Sequence, residues 1–386
     1  MKKELGGAIL CVGNFDSGTG YAWKLIEKLW TIVAMVGDKM ELETIVCYPS
    51  ISEINPVLDE AGISVRKQNI TSGEWCGFFK SLKFIRSNRI KYLYLTDRPA
   101  LSWCYLLYRI LGVKKIIIHD HTPGYRVPVV GIRRVIKKIR NRIKWVTADN
   151  VIGVSPYVCQ RLELVNCIPL NKIQCVTNGI TDSLKIKDYG LDSPQLVRIV
   201  TVARVNYYKG IDFAIKVMQL LVDECDLTCL QYDVIGDGPE LETFKELAKA
   251  LGVERNINFL GMKSNVEDLL PNYDIAFHPS KGEAMCLAIV EYMRASLPVV
   301  VSSNPSVNSI LKENEDCLFY EEANIQAAVA KIKSLVHASA ERERLGTIAR
   351  VRYEENYKAE LMEQHFKSCI SSCLAGPKQD ESISIY

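Results

Sequence analysis

The chain has 386 residues, 48% hydrophobic and 24% charged, a composition that fits a globular protein and excludes a disordered one. Its net charge is only +3, and no stretch approaches the roughly 18 apolar residues that a membrane span needs. A chain this long exceeds one ordinary core, so two domains are expected.

The small net charge hides an asymmetry. Residues 1–180 hold 26 Lys and Arg against 14 Asp and Glu, or +12; the remainder holds 22 against 31, or −9. Either the first half faces something anionic, or the two halves attract each other. Thirteen cysteines include no CxxC pair and five histidines make no HExxH. With no secretion signal, reduced cytosolic thiols are expected rather than a metal or disulfide framework.

The first element is a strand. "MKKELGGAILCVGNF" begins like a secretion signal, but Glu4 follows the lysines and Asn14 and Asp16 close the apolar run. "GNFDSGTG" follows, spaced like a Walker A loop but with Thr19 where that motif needs lysine. A P-loop ATPase is therefore rejected, while Gly18 and Gly20 suit a loop beside phosphates. "LETIVCY" and "YLYLT" are the next strands, and the acid-free "KSLKFIRSNRIK" (80–91) lies between them. "KIIIHD" then ends on His119, Asp120 and His121, where a strand's carboxyl end projects cleft groups. A hydrogen-bonded structural histidine fits equally well.

"GIRRVIKKIRNRIKW" (131–145) carries seven Lys and Arg and no acid. Helical spacing puts Ile132, Val135, Ile136, Ile139, Ile143 and Val146 on one stripe and Arg133, Lys137, Arg140 and Lys144 on a basic row. Arg134 and Lys138 add to the charge. Such a helix either lies on an anionic membrane or packs its isoleucines inward and leaves its cations solvated. No aromatic-interleaved basic motif points to nucleic acid.

"NVIGVS" closes the strands of the first half. The Gly-, Asp-, Ser- and Pro-rich stretch 178–196 breaks the strand–helix rhythm and marks a domain boundary. Beyond it come "RIVTVARV", "YDVIGDG", "INFLG", "DIAFHPS" and "PVVVSS", separated by helix-length segments. Strands alternating with helices on both sides of the boundary predict an α/β chain with two parallel, doubly wound sheets. The expected organisation is an N-terminal domain 1–180, a linker 181–196 and a C-terminal domain 197–353. A helical segment 354–374 crosses back to the first domain, and a tail 375–386 frays.

Three stretches of the second half carry chemistry. In "VARVNYYKGIDFAI", Arg204 and Lys209 flank a strand end and a helix entry, where two cations suit a diphosphate or stand as solvated surface charges. In "VIGDGPE", Gly236 and Gly238 follow a strand, either approaching a ligand or making a turn. "GEAMCLAIVEYM" places Glu283 in a strand-to-helix loop and Glu291 on an apolar helix from about Cys286 to Ser296. Glu283 suits the helix N-terminus by itself, but a polyhydroxyl ligand would explain both acids, and that N-terminus would attract phosphate. No Asp-x-Asp occurs, so a metal–diphosphate clamp is not expected and the cations would take its place.

Taken together these segments resemble the retaining glycosyltransferases of family 4, which have the GT-B fold of two Rossmann-like domains facing across a cleft. "ARVNYYKG" resembles the family's Arg-x4-Lys-Gly, "VIGDGPE" its Gly-x-Gly-Pro turn, and "INFLG" its base-side loop. Glu283 and Glu291 match its Glu-x7-Glu, followed by "SLPVV"; "NVIGVS" and "VTNGI" match landmarks before the linker. The resemblance implies that Arg204 and Lys209 hold the leaving diphosphate and that Glu291 accepts from ribose hydroxyls. Glu283, with the backbone of Met285, Cys286 and Leu287, would read the sugar. His119 would lie against that sugar, and Gly18 and Gly20 would line the phosphate side. The loop after the first strand departs from the family pattern, because Gly18-Thr19-Gly20 is followed by Tyr21-Ala22 instead of a glutamate.

The expected function is metal- and cofactor-free, retaining transfer from a nucleotide sugar to a growing glycan. The basic segments favour a lipid-linked acceptor, with the enzyme peripheral on the cytoplasmic face of the membrane through Arg133, Arg134, Lys137 and Lys138. The alternatives are a transferase with a soluble acceptor, a sugar-nucleotide epimerase, and a non-catalytic sugar-nucleotide binder.

Overall fold

The structure is a computed structural model, and it describes residues 6–18, 21–70, 75–191, 196–225 and 230–375. The chain forms two compact units. One comprises Met1–Thr122, Arg126–Thr177 and Met362–Tyr386, and the other Pro123–Tyr125 and Asn178–Leu361.

The first unit is built on β1 (Ala8–Val12), β2 (Glu43–Tyr48), β3 (Ser64–Lys67), β4 (Ile90–Thr96), β5 (Lys115–Asp120), β6 (Asn150–Gly153) and β7 (Ile173–Cys175). They pair in parallel in the order β3-β2-β1-β4-β5-β6-β7. β1 is buried along its whole length, as a strand covered on both faces must be. Its core gathers Ile9, Trp30, Tyr48 and Tyr94 with Met362, Phe366 and Ile370 of the helix Ala359–Ala375. The buried Glu27 is satisfied there, accepting from Tyr48 Oη at 2.5 Å and Asn55 Nδ2 at 2.8 Å.

The second unit carries β8 (Val197–Val202), β9 (Leu230–Ile235), β10 (Ile257–Gly261), β11 (Ile275–His278), β12 (Val299–Ser302) and β13 (Cys317–Tyr320), parallel in the order β10-β9-β8-β11-β12-β13. Residues 181–191, inside the expected linker, are held to this unit. Lys187 pairs with Asp274 at 2.7 Å and Arg350 with Asp182 at 2.9 Å.

Both sheets start at an inner strand, wind outward to one edge, then return beside the first strand and wind to the other edge. That reversal is a topological switch point, where the carboxyl ends of the two central strands leave a crevice for ligands. In the second unit it lies between β8 and β11. The Arg204–Lys209 loop leaves β8 there, and the Glu283 loop leaves β11. Three strands were not expected from sequence: β3, β7 and β13, each at a sheet edge.

Candidate functional site

After β8 the chain makes a short turn of 3-10 helix, Tyr207–Lys209, whose entry is capped by Asn206 Oδ1 accepting from the Lys209 amide at 2.9 Å. Gly210 follows at φ +72, a conformation that costs a side-chain-bearing residue about 1–2 kcal/mol. A Cβ there would also stand 2.2 Å from the carbonyl oxygen of Pro279. The turn is thus pressed onto the loop after β11, and the Lys281 amide donates to Tyr208 O at 3.1 Å.

This close approach brings Lys209 Nζ to 2.5 Å from Glu283 Oε1. Glu283 lies in the loop before the helix Leu287–Arg294, as expected, and its amide donates to Ser306 Oγ at 3.2 Å. Ser306 is oriented by Asn304, which caps the short helix after β12. A third member is His278, at the end of β11 with its side chain 1% exposed. Its Nε2 lies 3.4 Å from Glu283 Oε1 and 3.3 Å from Cys286 Sγ.

These neighbours set the charges. Burial pushes the Glu283 carboxyl up, but His278 and Lys209 outweigh it and hold the group at about 2. Burial pushes the His278 imidazole down, yet Cys286 and Glu283 raise it to about 9. Lys209 is raised above its ordinary value, because Glu283 overcomes its own desolvation. At neutral pH the cluster is one buried carboxylate between an ammonium and an imidazolium. Lys209 thereby presents a fixed ammonium that a phosphate or a developing oxyanion could meet.

The other predicted residues of this unit divide. Met285 and Cys286 are buried beside Glu283, Leu287 opens the helix, and Glu291 is buried on it. Arg204 is exposed after β8, on the same loop as Lys209. Gly236 and Gly238 have a packing reason. A Cβ on Gly236 would meet Ala203 O at 2.0 Å and one on Gly238 would meet Val205 O at 2.1 Å. The close approach they permit is to the backbone of the Arg204 loop, which also binds theirs through Val205 N to Asp237 O at 3.0 Å.

In the first unit, His119 is fully buried rather than open to a ligand. Its Nδ1 is hydrogen-bonded to Tyr94, and its ring stacks on Phe366 with centroids 5.8 Å apart. Burial holds its imidazole well below the usual range, so it is neutral. Gly18 does not offer a free amide to a phosphate, because it donates to Asp16 Oδ1 at 2.9 Å. Hydrogen bonds from Ser50, Ser52 and Gly18 hold the Asp16 carboxyl below its ordinary value, so an anion already occupies those donors. Gly20 lies outside the described residues.

The basic helix runs Gly131–Arg140, shorter than expected, and Val146 is buried beyond it instead of joining the stripe. No residue of the helix is buried. Ile132 is 71% exposed, Ile139 59% and Ile136 49%, so the isoleucines do not pack inward. Arg133 and Lys138 are exposed, whereas Arg134 and Lys137 are half-buried and Lys137 Nζ donates to Val165 O at 3.0 Å. Among the described residues no helix is long and apolar enough to cross a membrane.

His278 and the Cys286 side chain were missed as site residues. The available signal was the one used for His119: a histidine at the carboxyl end of a strand, in "AFHPS".

The family model described as Glycosyl transferases group 1 matches residues 187–352, which contain the whole cluster. An uncharacterized glycosyltransferase of Haemophilus influenzae is 31% identical over 140 residues, 36% of this chain and 39% of that protein. The N-acetyl-alpha-D-glucosaminyl L-malate synthase of Bacillus anthracis is 23% identical over 291 residues, 72% of this chain and 74% of that one. The crystal structure of Anabaena HepE in complex with UDP and glucose superposes with a TM-score of 0.73 at 14% identity, covering 95% of this chain and 100% of that one. The chain therefore carries a glycosyl transferases group 1 domain and has the GT-B fold.

Proposed function

We propose that this protein transfers a sugar from a nucleotide-sugar donor to a growing glycan, with retained anomeric configuration and without a metal, as a retaining enzyme of family 4. The observation that carries the reading is the pair of half-buried Lys209 and buried Glu283 at the switch point of the second sheet, backed by His278. Lys209 and Arg204, both on the loop after β8, hold the leaving diphosphate. Glu283 and the backbone from Met285 to Leu287 hold the sugar, and Glu291 the ribose. Charge developing on the departing phosphate meets cations already in place, which lowers the barrier without reorganisation. The bound nucleotide named for HepE supports a nucleotide diphosphate donor. His119 is left out of the reading because it is enclosed, and Gly18 because its amide is engaged.

The acceptor is lipid-linked, and the enzyme works at the cytoplasmic face of the membrane. The helix Gly131–Arg140 supports this, since it presents exposed isoleucines and exposed cations with no acid. Apolar insertion and attraction to anionic lipid then act together.

The deciding experiment is a thermal-shift panel of nucleotide sugars, followed by transfer assays with lipid-linked and soluble acceptors. A donor at a hundred times its dissociation constant adds about 2.7 kcal/mol of stability. Failure of every nucleotide sugar to shift the transition would overturn the reading, and conversion of the donor's sugar to its epimer without acceptor would make the protein an epimerase.

A further inference from the structure

His278, Glu283 and Cys286 each offer one ligand atom, the three atoms lie within 4.8 Å of one another, and all three residues are buried. Zinc binds thiolate at about 2.3 Å and imidazole or carboxylate at about 2.0–2.2 Å, so a tetrahedral site has ligand–ligand edges of roughly 3.3–3.6 Å. The distances from His278 Nε2 to Cys286 Sγ, 3.3 Å, and to Glu283 Oε1, 3.4 Å, already fall in that range. The third edge is at most 4.8 Å and closes with a shift of up to about 1.5 Å, within what a side-chain rotation supplies.

We propose that this cluster is a zinc site that inhibits the enzyme: Zn(II) bound by His278 Nε2, Glu283 Oε1 and Cys286 Sγ, with water as fourth ligand. A thiolate and an imidazole in one set select zinc over magnesium or calcium, which prefer oxygen. On binding, the metal replaces the thiol proton of Cys286 and the proton on His278 Nε2, and both leave to solvent. No oxidation state changes. Glu283 Oε1 accepts from Lys209 Nζ at 2.5 Å and faces His278 Nε2 at 3.4 Å, so a metal bound to that oxygen competes with the Lys209 ammonium for it. Lys209 is then driven from the place in which it would meet the donor diphosphate. The metal is thus not a cofactor of transfer but a competitor of its machinery. Metal binding follows from the geometry alone, whereas inhibition rests on reading Lys209 and Glu283 as the transfer site.

The experiment titrates cobalt(II), a spectroscopic stand-in for zinc, into chelator-stripped full-length protein. One equivalent is expected to produce the absorption of tetrahedral, thiolate-bound cobalt, bleached by adding zinc. The signal disappears in Cys286→Ser and in His278→Gln, with folding of each checked by thermal unfolding, and persists in Cys175→Ser. Absence of a thiolate band in the wild type, or its survival in Cys286→Ser, would overturn the site. A second arm measures nucleotide-sugar binding with and without zinc. Loss of binding in the wild type that a chelator restores supports inhibition. Zinc binding that leaves donor affinity unchanged overturns the inhibitory role while the metal site stands.

Discussion

Lys209 Nζ donates to Glu283 Oε1 across 2.5 Å, although the two residues are 74 positions apart in the chain. The contact exists because two loops leave neighbouring parallel strands at one switch point and Gly210 lets one loop lie against the other. It is the relationship on which the proposed chemistry depends.

Removing one partner of a buried pair leaves an uncompensated charge, at a cost of about 3–5 kcal/mol. Glu283→Gln is therefore expected to destabilise more than the double variant Lys209→Met with Glu283→Gln, since the single change leaves the Lys209 ammonium without its carboxylate. Urea unfolding measures the difference. If the double variant is no more stable than Glu283→Gln, the pair is not coupled. Each single change is also expected to lower transfer by roughly 100- to 1,000-fold, the range for losing one preorganised charge-stabilising group.

Gly210 and Gly252 have nearly the same backbone, φ +72 and +71, but different surroundings. Nothing lies within 4 Å of a Cβ at Gly252, whereas one at Gly210 meets Pro279 O at 2.2 Å. Gly252→Ala should cost only the conformational penalty, about 1–2 kcal/mol. Gly210→Ala should cost clearly more and should depress transfer as well, because the Lys209 turn must lift. Equal melting temperatures for the two variants would contradict the close approach.

Asp97 offers a test by pH. Burial raises its carboxyl to about 6, although Oδ1 accepts from the His121 amide at 2.6 Å. A folded pKa above the unfolded 3.8 means that the neutral form is favoured in the fold. This contribution is fully present below about pH 4 and is lost as pH rises through 6. Asp97→Asn keeps the acceptor and tolerates the φ of +53. It should match the wild type near pH 4 and be more stable above pH 7, by up to about 3 kcal/mol on the conversion of pKa shift to free energy. Melting curves at pH 4 and 8 decide, and a difference independent of pH would refute the assignment.

The basic helix makes a prediction about vesicles. A surface cation contributes about 1 kcal/mol to binding an anionic bilayer, so neutralising Arg133, Arg134, Lys137 and Lys138 should weaken co-sedimentation by two to three orders of magnitude, roughly. Lys137 should contribute least, because Val165 O already engages its ammonium. Ile132→Asp and Ile139→Asp, both at exposed positions, should weaken it further. Binding should fall with added salt, as screening requires. Unchanged sedimentation of the fourfold variant would remove the membrane from the proposal.

Central strands were legible because they are buried on both faces. "AILCV", "IKYLYLT" and "VRIVTV" read as near-continuous apolar runs, and helix-length spacing between such runs yields a doubly wound order. The missed strands are edge strands. β3, "SVRK", and β7, "IQC", pair on one side only and expose polar groups, so their composition resembles that of a loop. β13, "CLFY", is apolar but only four residues long between acidic stretches.

The loop position of Glu283, the helix that follows it and the acid-free charge of the 131–145 segment followed from local composition alone. Composition did not decide whether the isoleucines of that segment are covered, where Arg204 points, or that His119 is enclosed by Tyr94 and Phe366. Those outcomes depend on what other parts of the chain place alongside each residue. The Lys209–Glu283–His278 cluster is of the same kind: three unremarkable ionisable residues in sequence become one buried charge system only when β8 and β11 pair, because burial makes each group's charge depend on the others.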